Sequence, residues 1–310
     1  MDDMTPLEQL TKDVLASQGY LYDIREATIF NPYNHKGNLG HKVFVGPNPL
    51  PGAIISYYLK EGVKEDVKII IENKDGKKIR EIKGTKEAGI NRVTWDLRYE
   101  PPVQPFRGER SRWFRIQAPY VLLGEYQVAL KVSDQEIAKT VKAIGDPRID
   151  ISFEDRKAQH DALFTLYELY PILSEVDKVS DDLKKQLDEL TKSLKKLPEV
   201  PETILEEAKA ISKEIDDIRL KLLGDPKLGW QGLRRSLRGR IIMLGRAVGG
   251  YTSVPSPRQL QQIQKNSEQL KALVEKLNKI IEEVVPRLNR LMNENNIPHV
   301  IPGEKIKIKE

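Results

Sequence analysis

Gly89-Ile-Asn-Arg-Val-Thr-Trp-Asp-Leu-Arg98 and Gly124-Glu-Tyr-Gln-Val-Ala-Leu-Lys-Val132 decide the reading of the first half of this chain. Each alternates apolar and polar residues with the two-residue period of a strand that buries one face. Similar runs flank them. Segment 53–59 is apolar and introduced by Pro49 and Pro51, and 67–72 is a second strand. Asp75-Gly76 then supplies the positive φ of a tight turn before 77–82 returns. Segments 125–132 and 136–144 form a last hairpin about Ser133-Asp134.

Six or seven short strands in about 100 residues have the size and rhythm of an immunoglobulin-like or fibronectin-III-like antiparallel β-sandwich. Asp146-Pro147-Arg148 ends the last strand, and the hydrophobic period then changes from two to between three and four. Leu163, Leu166, Leu169 or Tyr170, Leu173, Val176, Val179, Leu183, Leu187, Leu190, Leu194 and Leu197 mark a first long helix, which Pro171 should kink by removing a backbone hydrogen bond. Ile204, Leu205, Ala208, Ile211, Ile215, Ile218 and Leu222 mark a second.

The predicted organisation is multidomain, β followed by α. Residues 1–36 form an N-terminal helix and extended segment, in which Thr5-Pro6-Leu7-Glu8 reads as a capping box opening a helix that runs to about Gly19. Residues 20–29 would follow as one strand. The sandwich takes 37–148 and an elongated antiparallel helical bundle 149–296, with helices at 152–197, 201–223, 231–248 and 256–293. Residues 297–310 are a tail, either disordered or a short strand.

Composition excludes several classes. A length of 310 residues with 39% apolar and 31% charged residues describes two ordinary domains rich in amphipathic helix. No apolar run approaches the roughly 18 to 20 residues that span a bilayer, so membrane insertion is not expected. The N-terminus has neither the basic nor the apolar region of a secretory signal, which as written points to the cytoplasm. With no cysteine there are no disulfides, thiolate metal sites or cysteine nucleophiles. The net charge of +5 is local: no acidic residue falls between Asp225 and Glu268, a stretch holding Lys227, Arg234, Arg235, Arg238, Arg240, Arg246, Arg258 and Lys265.

The order of parts resembles a known family. The Asp2-Asp3-Met4-Thr5-Pro6-Leu7 opening, Asn48-Pro-Leu-Pro-Gly-Ala53 before a Tyr-Tyr-Leu strand, the Gly89–Arg98 stretch, Gly124-Glu-Tyr126 and Asp146-Pro-Arg148 before long helices follow one another as in the C-terminal region of certain bacterial proteins. In those proteins the large N-terminal part is a sortilin-like, VPS10-type β-propeller of BNR repeats, often labelled glycosyl hydrolase by analogy with sialidases. The resemblance covers nearly all of the chain, and its motifs are strand and turn patterns. It implies an accessory tail that begins where a propeller ends, a partner that is a β-propeller protein or subunit, and export of the full-length members. The propeller is not in this chain, so no hydrolase residue carries over.

No catalytic constellation stands out. His35, His41, His160 and His299 lie far apart and none has a partner at metal-ligand spacing. Glu154-Asp155 and Asp181-Asp182 suit helix starts and solvated faces. Ser236 and Ser253 have no nucleophile-elbow context, and Gly245-Arg-Ala-Val-Gly249-Gly250 lacks the lysine of a phosphate loop. No cofactor or metal is expected.

Two arginine-rich stretches are the candidate ligand or partner surfaces. One interleaves Arg107, Arg110, Arg112 and Arg115 with Phe106, Trp113 and Phe114, the residue types of interface anchors. The other carries Arg234, Arg235, Arg238 and Arg240, suited to phosphate contacts or equally to ion pairs within the bundle. The expected function is a non-catalytic scaffold or interaction module. The alternatives are a carbohydrate- or polyanion-binding module acting through these arginines, and part of a glycoside hydrolase whose catalytic propeller lies outside the chain. Nucleic acid is not the expected partner, and the heptad-like first helix leaves a homo-oligomer open.

Overall fold

The structure is a computed structural model that describes residues 3–31, 51–104, 116–195, 201–298 and 300–308. It is an α+β multidomain protein: a β region of two sheets, one curled into a half-barrel, followed by long bent helices. Two compact units emerge. The first comprises Met1–Pro101, Ala118–His160 and Tyr251–Val254; the second comprises Pro102–Gln117, Asp161–Gly250 and Pro255–Glu310.

The first unit opens with two short helices, α1 (Thr5–Glu8) and α2 (Lys12–Ala16), rather than the single helix expected. Asp3 makes the difference. Its carboxylate accepts from both the Thr5 backbone N–H at 3.1 Å and the Thr5 hydroxyl at 2.7 Å, so Thr5 is the first helical residue and not the cap. Thr11 starts the second helix by accepting from the Val14 N–H.

Among the described residues eight strands follow: β1 (Gly19–Leu21), β2 (Ala27–Ile29), β3 (Ala53–Leu59), β4 (Lys68–Glu72), β5 (Lys78–Lys83), β6 (Gly89–Trp95), β7 (Gly124–Val132) and β8 (Gln135–Gly145). The single strand expected over 20–29 is two. Strand β1 runs antiparallel to β3, while β2 runs parallel to β8 in the other sheet, so the chain changes sheets between them. The sheets have the orders β1-β3-β6 and β2-β8-β7-β4-β5.

Alternation sets the core. Tyr126, Val128, Leu130 and Val132 of β7 are buried, facing Ile69 and Ile71 of β4 through the pairs Ile69↔Leu130 and Ile71↔Val128. The other sheet contributes Ile55, Tyr57 and Trp95 to the same cluster. The β4–β5 turn is built as its sequence predicts: Gly76 takes φ 73°, and the Asn73 side chain accepts from the backbone N–H groups of Asp75 and Lys77.

The second unit is helical, and its apolar stripes converge on one core. Helix α3 (Phe153–Leu194) begins within the first unit and carries Pro171 inside it; α4 is Glu202–Leu223. The helix expected over 231–248 is broken into α5 (Gly229–Arg235) and α6 (Leu237–Gly249). Ser236 breaks it. With an extended backbone (φ −64°, ψ 156°), this residue caps α6 by accepting from the Gly239 N–H. Gly239 allows the tight corner, because a Cβ there would lie 1.9 Å from the Leu233 carbonyl oxygen.

The helix expected over 256–293 is likewise interrupted. Helix α7 (Pro257–Lys279) opens with a full Ser256/Gln259 capping box and passes through a π turn at Ile280–Val284 into α8 (Val285–Glu294). Pro286 supplies the reason: it has no N–H to give and its ring would strike the carbonyl four residues back, so the ladder widens just before it. No helix of the described residues is long and apolar enough to cross a membrane.

The tail after α8 is neither a strand nor loose. Ile297, Val300 and Ile306 are buried in the helical core. Its backbone is held by side-chain amides. Asn289 bonds both the N–H and the carbonyl of Val300 (2.8 and 2.7 Å), Asn278 does the same to Ile306 (3.0 and 3.1 Å), and Gln186 to Ile301 (2.9 and 3.1 Å). Each amide presents one donor and one acceptor in the geometry of a neighbouring strand, so the tail is paired without a sheet.

Candidate functional site

The corner between α4 and α6 holds a cleft of about 540 Å³, within the size range of small-molecule sites. Two glycines make the corner possible. Gly224 ends α4 at φ 83°, where a Cβ would lie 2.2 Å from the Gly232 carbonyl oxygen, and a Cβ on Gly232 would lie 2.2 Å from that of Asp225. The two backbones therefore touch, and side chains fan outward around the contact.

Apolar lining comes from Leu220, Leu228, Leu237, Ala272 and Leu273. Lys221, Arg235 and Arg240 add three cations, against the single carboxylate of Asp225. That carboxylate is already engaged, since Asp225 caps the 3-10 turn Pro226–Leu228 by accepting from the Lys227 N–H at 2.9 Å. Among the described residues no carboxylate pairs with Lys221, Arg235 or Arg240. The Arg240 guanidinium instead donates to the neutral side chain of Gln269, and its Nε lies buried with no hydrogen-bond acceptor.

The break at Ser236 sorts the arginines of the 234–240 stretch. Arg234 and Arg235 end α5 and are exposed, with no ion pair among the described residues. Arg238 turns inward: it is 7% exposed and lies 3.4 Å from the Asp177 carboxylate, which also meets Arg219 at 3.4 Å. Arg219 reaches Asp181 as well, at 3.1 Å. Arg238 thus belongs to an ion-pair network within the helical unit, and Arg240 to the cleft.

Arg107, Arg110, Arg112, Trp113 and Arg115 lie outside the described residues. The residues on either side of them are described. The Gln104 side chain bonds the backbone N–H and carbonyl of Ile116 (2.9 and 3.0 Å), in the same manner as the amides that hold the tail. Of the four histidines, His160 contacts the Tyr99 hydroxyl through Nε2 at 3.1 Å; His35, His41 and His299 lie outside the described residues. Among the described residues no group of histidines and carboxylates has the geometry to hold a metal ion.

Sequence reasoning found Arg235 and Arg240 but not the rest of the cleft. Lys221 and Asp225, at and just beyond the end of α4, and Gln269, on α7, meet only in the folded unit. The signal within reach was Gly224 and Gly232, two glycines eight residues apart that flank a helix break. No family model, curated protein or solved structure matches this chain.

Proposed function

We propose that this chain is a non-catalytic interaction module, an immunoglobulin- or fibronectin-III-like sandwich joined to a helical bundle, serving as the accessory tail of a sortilin-like β-propeller. The observation that carries this reading is what its motif residues do. Trp95 is fully buried, donates from Nε1 to the Arg98 carbonyl at 2.9 Å, and packs edge-on against Tyr126 with ring centroids 5.4 Å apart. The Asn91 side chain is spent on the carbonyls of Glu87 and Gly89 and on the Thr85 hydroxyl. Asp146 and Arg148 bond each other. Every one of these groups is used to hold the fold, as a scaffold's would be.

The sandwich class is supported by strand order and by one corner. A three-stranded sheet β1-β3-β6 with β2-β8-β7-β4-β5 opposite corresponds to strands A, B and E with A′, G, F, C and C′. Tyr126, near the start of β7, donates its hydroxyl to the Leu122 carbonyl at 2.8 Å, the position and bond of a tyrosine corner.

Co-expression with the propeller region of a sortilin-like protein tests the accessory role. The expected result is co-elution as a stable complex in size-exclusion chromatography. Separate elution of the two would overturn it, and so would glycosidase turnover by the isolated chain.

A second reading, polyanion or carbohydrate binding, is favoured by Arg234 and Arg235, which are exposed and make no ion pair among the described residues. Retention on heparin that falls with salt, and falls further in R234Q/R235Q, is its signature. Flow-through at low salt sinks it.

A further inference from the structure

We infer that the cleft between α4, α5, α6 and α7 is a binding site for a small amphiphilic anion, a molecule with one carboxylate or phosphate head and a compact apolar body. This goes beyond the accessory role, since a chain that never met a propeller would still bind the ligand. Charge is the first argument. Lys221, Arg235 and Arg240 line one cleft of about 540 Å³, and its only carboxylate among the described residues, Asp225, is committed to capping a turn. Cations grouped without counter-charges repel one another, and a half-buried guanidinium left without an anion is costly. Arg240 is in that position, half-buried, with a neutral amide as its acceptor and Nε unmatched. An anionic head in the cleft supplies the missing charge and acceptors together.

The rest of the lining fixes the body of the ligand. Leu220, Leu228, Leu237 and Leu273 present apolar surface beside the cations. An inorganic anion would satisfy the arginines and leave that surface wet, while a purely apolar molecule would leave the charges uncompensated. A ligand joining both properties matches the cleft as a whole. A long polyanion does not, because its repeated charges would have to cross the leucines.

Isothermal titration of the full chain with octanoate and with octyl phosphate tests the assignment, with octanol and octyltrimethylammonium as controls. Both anions are expected to bind saturably at one site, and the tighter of the two identifies the head group. The affinity is expected to fall at least tenfold in K221Q/R235Q, whose substitutions are at exposed positions, and in A272F, which fills the cleft. Circular dichroism and thermal melting establish that each variant is folded; should A272F fail to fold, K221Q/R235Q decides alone. No saturable heat from either anion, equal binding of octanol, or an unchanged affinity in K221Q/R235Q would overturn the site. Because the readout is ligand heat and not co-elution with a propeller, this site and the accessory role fail separately.

Discussion

The Asn278 side chain holds both backbone polar groups of Ile306, accepting from its N–H at 3.0 Å and donating to its carbonyl at 3.1 Å. Asn278 is 8% exposed on α7 and Ile306 is 5% exposed in the tail, so both bonds are shielded from water. A buried peptide group left unpaired costs about 1–3 kcal/mol. Asn278→Leu, which keeps the bulk and removes both partners, is therefore expected to destabilise the helical unit by about 1–3 kcal/mol in urea unfolding. Hydrogen exchange should show the Ile306 amide losing its protection. Retained protection at Ile306 would mean that the tail is held by its apolar side chains alone.

Tyr126→Phe removes one hydroxyl and little else. The bond to Leu122 is part-buried, so its loss is expected to cost about 0.5–1.5 kcal/mol. Trp95→Ala deletes a fully buried side chain against the same ring and is expected to cost about 3–5 kcal/mol. The two rings are in contact, so a double-mutant cycle of Trp95→Ala with Tyr126→Ala, measured by chemical denaturation, should show coupling between them. Strict additivity would contradict the packing.

Acid should act through Asp146. Bonds from the Arg148 guanidinium at 2.8 and 2.7 Å, with one from its backbone N–H at 3.0 Å, bring the Asp146 carboxyl down from 3.8 to about 2. A depressed folded value means that the ionised group stabilises the fold above the unfolded value, and that this contribution disappears as pH falls from about 4 to about 2. The stability gap between the parent and Asp146→Asn is therefore expected to be constant near neutrality and to close over that interval. A gap that persists below it would place the role of Asp146 in packing. The expected measurement is thermal melting against pH.

Gly232→Ala should damage the cleft more than its size suggests. The added Cβ would lie 2.2 Å from a backbone carbonyl oxygen of Asp225, which cannot rotate away as a side chain could. Overpacking of this kind costs about 1–3 kcal/mol, and relief requires α4 and α5 to part. Both a lower melting temperature and weaker octanoate binding are expected. Unchanged binding with lowered stability would show that the cleft tolerates separation of the two helices.

Much of the β region was legible because period-two patterning reports burial directly. Strands lie within both of the alternating stretches, at Gly89–Trp95 and Gly124–Val132, and Asp75-Gly76 is the turn. What failed was local competition at element ends. Asp3 displaced Thr5 as the helix-starting group, Ser236 split a helix whose apolar spacing continued across it, and Pro286 widened α7 where the leucine stripe gave no sign of it. Hydrophobic period is blind to such events because they are decided by single hydrogen bonds.

The candidate site was legible in half. Arg235 and Arg240 stood in a visibly basic stretch, yet sequence treated Arg234, Arg235, Arg238 and Arg240 as one surface. Folding separated them, because the capped break at Ser236 turns Arg238 toward Asp177 and leaves Arg240 beside Gln269. Charge along a chain carries no direction until backbone geometry assigns it.

Sequence alone determined that a β unit precedes a helical unit, that Trp95 and Tyr126 belong to strands, and where the cationic residues are concentrated. Each follows from properties that repeat along the chain at a fixed period or accumulate over a window. Tertiary structure alone decided that the tail is clasped by Gln186, Asn278 and Asn289, and that Lys221, Arg235 and Arg240 share a cleft with one committed carboxylate. Those relationships join residues up to 115 positions apart, and only packing brings such partners within the 3 Å or so over which a hydrogen bond acts.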